Sequence, residues 1–225
     1  DNGMLSDVVF DENNPVDVRM SAIRKVKLQK EAFKRLLAKA GDNKDKNNAD
    51  YQLLVKAYLD AGNVQEMRWL ITDNDVSFSS RRLMFSYLKD EEMIIDALFY
   101  AMTKSEQDAF VKSPESEEVK FAKYVIGNTT QEILSKFVLT TCSKSNNELF
   151  LVECVKNIND EQLLIKIAEM STIGDAGFYK GGGQAVLAAS YKIKDENKKL
   201  LRDRAIAKFE SDLKKRAEAI VRIFA

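Results

Sequence analysis

There is no histidine in this chain, which removes the commonest general base and metal ligand. Ser-His-Asp and Cys-His nucleophile arrangements and ordinary zinc sites are excluded with it. The 2 prolines and 9 glycines among 225 residues are too few for an all-β chain, which needs turn residues every ten or so positions. Helices are therefore predicted to dominate. The 2 cysteines, Cys142 and Cys154, form no CxxC motif and are read as reduced core thiols on different helices. Apolar segments are broken by Lys, Glu or Asp well before the roughly 18 residues that a membrane span requires, so the chain reads as soluble. From Asp1 onward there is neither an initiator methionine nor the layout of a signal peptide. That reads as a processed end or an excised fragment, leaving the compartment open, with the cytoplasm favoured.

Charge of one sign is also missing overall, since 35 basic residues balance 35 acidic ones. Such balance argues against non-specific attraction of the whole molecule to nucleic acid or anionic lipid. Locally the stretch from Val18 to Lys39 is basic, and that from Asp90 to Lys120 is acidic. These are read as solvated helix faces.

What is present is a recurring pattern in a chain that is 45% apolar, enough to build a substantial core. An apolar helix, a turn marked by a small polar or acidic residue, and a second apolar helix recur about six times. The first copy has Ala22, Ile23 and Val26, a turn near Gln29, then Phe33, Leu36, Leu37 and Ala40, spaced by threes and fours on one helical face. Later copies turn at Gly62 and Asn63, at Asp90, at Thr129 and Thr130, at Asn159 and Asp160, and at Asp195. Successive markers lie about 27 to 40 residues apart, a range suited to helical hairpins with variable loops. Gly62 is placed to end its helix, and Asp90 to cap the next.

The prediction is an all-α chain, an α-solenoid of about six antiparallel helix pairs in a single domain, 1–225. Residues 1–17 are expected to be an irregular N-terminal segment, 41–50 a polar loop, and 172–184 a glycine-containing connector. In the last helix Phe209, Leu213, Ala217, Ile220, Val221 and Phe224 form one apolar stripe. That stripe is expected to pack on the sixth copy, with self-association as the alternative.

Stretches such as Val18–Val26 and Ile158–Ala168 resemble the HEAT-repeat family, in which an acidic residue opens the second helix and a basic one follows six positions later. Asp160 with Lys166 fits; Gln29 with Arg35 and Thr130 with Lys136 fit half of it; Asp90 with Asp96 departs. The resemblance implies a stacked-hairpin fold and says little of role.

Few residues suggest chemistry, and no catalytic, cofactor or metal site is predicted. Lys180 before Gly181, Gly182 and Gly183 is not a phosphate-binding P-loop, because the lysine precedes the glycines and no strand leads in. Asp73, Asn74 and Asp75 resemble the start of a calcium loop, but Phe78 and Met84 stand where glycine and glutamate are needed. Trp69, the sole tryptophan, is expected to fill an interface between repeats. HEAT-like DNA glycosylases similarly set an aromatic, a basic and an acidic group in a cleft, which draws attention to Trp69, Arg68 and Asp73.

The functional expectation is a non-enzymatic scaffold that binds another protein, with Arg19, Arg24, Lys25, Trp69, Phe178, Tyr179 and Lys180 as partner-binding candidates. The alternatives are a HEAT-like nucleic-acid binder or glycosylase, and a structural or self-associating domain of a longer protein.

Overall fold

A computed structural model describes residues 1–42, 44–105, 109–142, 147–170 and 183–194, with 199, 202, 203, 206, 207, 210 and 214 beyond them. The described residues contain helices and no strand. Contacts divide the chain, read from sequence as one domain, into two compact units, Asp1–Tyr100 and Ala101–Ala225. Each is considered by itself.

The first unit opens with α1 (Asn2–Phe10), where irregular chain is expected. Asp1 caps it by accepting from the Gly3 N–H, and Val9 alone of its residues is buried, so it has no apolar stripe to read. Pro15 then starts α2 (Val16–Ile23), its fixed φ suiting a helix entrance. α3 (Lys30–Gly41) buries Phe33, Leu36, Leu37 and Ala40, the stripe read from sequence. α4 (Asn48–Asp60) begins inside the segment expected to be a loop, because Asn48 Nδ2 donates to the carbonyls of Lys39, Ala40 and Asp42. Gly62, at φ +95°, ends α4 in the left-handed conformation that glycine adopts without strain. α5 (Gln65–Ile71) and α6 (Phe78–Phe85) follow, the latter capped by Ser77. Asp90 caps α7 (Glu91–Lys104), of which the residues past Tyr100 belong to the second unit.

In this unit α1 packs on α2, α2 on α4, α3 on both α4 and α6, and α5 on α6. Phe33 lies 4.9 Å from Tyr58, whose hydroxyl accepts the Leu28 N–H, so the core and the turn before α3 are fixed together. Burying each such ring contributes about 1.5–3 kcal/mol.

The second unit contains α8 (Ala109–Lys112), α9 (Glu117–Gly127), α10 (Gln131–Thr141), α11 (Glu148–Lys156), α12 (Glu161–Glu169) and α13 (Gly183–Lys192). Ser116, Thr130, Asn147 and Asp160 cap α9 to α12, two of them being turn markers read from sequence. Asn147 also donates to the carbonyls of Met102 and Ser105, ending one helix while starting another. α9 packs on α11, α10 on α11 and α12, and both α11 and α12 on α13. Phe150 sits edge-on to Phe110 and Phe137 at about 6 Å. Cys142 and Cys154 are buried free thiols; burial pushes the first up to about 12 and raises the second as well, which makes both unreactive. Asp195, the 172–182 part of the connector and the apolar stripe from Phe209 to Phe224 lie outside the described residues.

Candidate functional site

A helix of seven residues, α5, buries Met67, Leu70 and Ile71 and turns its remaining side chains outward. Trp69 among them is 63% exposed. The expectation that it fills an interface is thus corrected: the indole falls on the helix face opposite the buried residues. Next to it, Arg68 reaches α7, with Nη1 at 3.2 Å from Glu92 and Nε at 3.1 Å from Asp96. Just past the helix, Asp73 is held by Lys30 at 3.0 Å and Lys34 at 2.8 Å, both on α3. Charged contacts therefore join α5 to α7, and the turn just after α5 to α3. Phe99 of α7 is also an exposed apolar side chain.

This lattice decides what the Trp69–Arg68–Asp73 set can do. The ammonium groups of Lys34 and Lys30, in that order, drive the Asp73 carboxyl far below the usual range, so it is a weak base. Lys34 is raised in return by the same contact. Arg68 already carries two carboxylates, so a phosphate would have to displace both.

Arg19 is corrected as a partner-binding candidate. It is 1% exposed, donates from Nε to Val9 O at 2.9 Å, and lies 4.7 Å above the Tyr51 ring. Arg24 and Lys25, at the end of α2, are exposed and sit where cations complement the carbonyl end of a helix. Phe178, Tyr179 and Lys180 lie outside the described residues.

Several groups that the sequence reading did not single out organise the structure. Arg81, 1% exposed, repeats the Arg19 arrangement: its Nε donates to Ile71 O at 3.0 Å, its Nη2 donates to Asp73 O, and its guanidinium lies 4.3 Å from the Tyr100 ring centroid. In both cases the arginine stands ten residues after the apolar residue whose carbonyl it binds, Val9 or Ile71, and that spacing is the one signal that could have found it. Glu12 gathers Lys39, Tyr51 and Asn47 at 2.7, 2.7 and 2.8 Å, which fastens the turn between α1 and α2 to α3 and α4. Hydrogen bonds from Lys39 and then Tyr51 lower its pKa to about 2. In the second unit, Gln131 Oε1 accepts from the N–H groups of Asn159 and Asp160, and Glu161 Oε1 accepts from the Lys194 N–H. Gln131 and Glu161 are each the first residue of their helix, so one contact recurs a hairpin later.

Comparison with protein-family models, with curated proteins and with solved structures gives no match.

Proposed function

We propose that this chain is a non-enzymatic scaffold of HEAT-like stacked hairpins and that it binds a partner protein through the face bearing Trp69. The observation that carries this reading is the exposed indole on a helix held to α7 by ion pairs from Arg68 and followed by a turn held to α3 by ion pairs from Asp73. A large apolar ring held outward on a stiffened support has the character of an interface anchor, since anchors of this kind supply most of the binding energy in protein–protein contacts. The bracing reduces the conformational freedom that binding would otherwise have to remove. Stacking is supported by the recurrence of the Gln131 and Glu161 contacts and by contacts between alternate helices, α9 with α11 and α11 with α13. Arg24 and Lys25 lie apart from the Trp69 lattice in their contacts, and under this reading they influence encounter rate more than affinity.

Because Trp69 is the sole tryptophan, its fluorescence reports on this face without labelling. Proteins captured by the full chain from the source cell are identified, purified and titrated against the wild type and Trp69→Ala. The expected result is a partner that shields the indole from acrylamide quenching and binds the variant at least about tenfold more weakly, the loss typical of an anchor residue. Partners that bind both chains equally and leave quenching unchanged contradict the proposal. A salt titration against DNA and RNA tests the nucleic-acid alternative, which requires binding that weakens steeply with salt.

A further inference from the structure

The ammonium of Lys192, at the end of α13, sits among four oxygens, two on the last residues of α11 and two in the turn that follows it. Nζ lies 3.2 Å from Val155 O, 2.8 Å from Lys156 O, 2.5 Å from Ile158 O and 3.3 Å from Asn159 Oδ1. Among the described residues all of its partners are uncharged oxygens, so no carboxylate neutralises it there. The counter-charge is the carbonyl end of α11, where the helix dipole gathers partial negative charge and the last C=O groups have no partner within the helix. Burial, and after it the charge of Lys194, pull the Lys192 pKa below its ordinary value. The oxygens act in the opposite sense, since the charged form supplies more hydrogen bonds to them.

Three backbone carbonyls and one amide oxygen converging on a single positive centre form the ligand set that proteins use to replace the hydration shell of a monovalent cation. Ammonium and potassium are close in size, and the lysine head group is a tethered ammonium. We propose that the end of α11 is a monovalent-cation site whose resident ion is the chain's own Lys192, and that it accepts free ammonium or potassium when this side chain is removed. The site holds α13 against α11, and Lys192 provides that link without drawing an ion from solution. The inference is independent of the scaffold reading.

The test is thermal unfolding of the full chain, wild type and Lys192→Met, in choline, potassium and ammonium chlorides at matched ionic strength. Methionine keeps an apolar stem for packing and removes the charge. The wild type is expected to have one midpoint in all three salts. The variant is expected to melt lower in choline and to regain most of the loss in ammonium or potassium, with a response that saturates as the ion is raised. A variant that is unfolded in choline and folds on addition of ammonium also supports the proposal. Adding Asn159→Ala removes one ligand and is expected to shift the ammonium response to several-fold higher concentration. The proposal is overturned if Lys192→Met is as stable as the wild type in choline, or if no cation restores it beyond the change seen in the wild type.

Discussion

Arg81 and Arg19 place buried guanidinium groups on the carbonyl ends of α5 and α1, and each lies against an aromatic ring. Removing such a group leaves buried carbonyls without a donor, a larger loss than that of an ordinary hydrogen bond. Arg81→Met is expected to destabilise the protein by roughly 2–4 kcal/mol, measured by urea unfolding, because the buried Ile71 O loses its donor and Asp73 O keeps only the Val76 N–H. Arg81→Lys is expected to recover only part of this, since a single ammonium cannot span both carbonyls while stacking on Tyr100. Glu12 gives a residue-scale pH dependence. Its pKa is lower in the folded protein, about 2 against an ordinary 4.5, so its contribution is complete above about 4.5 and disappears as pH falls through about 2. The stability gap between wild type and Glu12→Gln should therefore be widest above pH 4.5 and close toward pH 2, as read from urea midpoints. A gap that stays constant with pH would count against the Glu12–Lys39–Tyr51 contact. These groups were hidden in the sequence for a common reason. Long polar side chains leave no periodic trace, and Arg19 in a basic stretch reads as surface. Trp69 misled in the other direction, because ring size argues for burial whereas the outward face of α5 decides exposure.

Elements with a broad apolar stripe were legible. α3 is read from Phe33, Leu36, Leu37 and Ala40, and α12 from Leu163, Leu164, Ile167 and Ala168, of which Leu163 is only half-buried, while Asp90, Thr130 and Asp160 cap the helices that they were expected to open. α1 was not legible, because it buries one side chain and its start depends on the Asp1 cap. The contact between α3 and α6 was equally invisible. There Ser80 Oγ donates to Leu37 O, and a Cβ placed on Gly41 would come within 2.8 Å of that hydroxyl and 3.0 Å of the Ser80 nitrogen. Gly41→Ala must push the N-terminus of α6 away from α3, and about 1–3 kcal/mol of destabilisation is expected in urea unfolding. Gly62→Ala meets no neighbour within 4 Å, so its cost is confined to the left-handed backbone, about 1 kcal/mol. A neutral Gly41→Ala would show that α3 and α6 are not in close backbone contact.

At the scale of the molecule, the helical composition of the described residues follows from scarce proline and glycine together with apolar spacings of three and four. The proposed stacking rests on side chains that tie one hairpin to the next. Native-state hydrogen exchange of the wild type, Gln131→Ala and Glu161→Ala addresses this directly. In Gln131→Ala the amides of Asn159 and Asp160 are predicted to lose protection while that of Lys194 keeps it, and in Glu161→Ala the pattern is reversed. Protection that is unchanged in both variants, or lost uniformly across the second unit, would contradict a register carried from hairpin to hairpin.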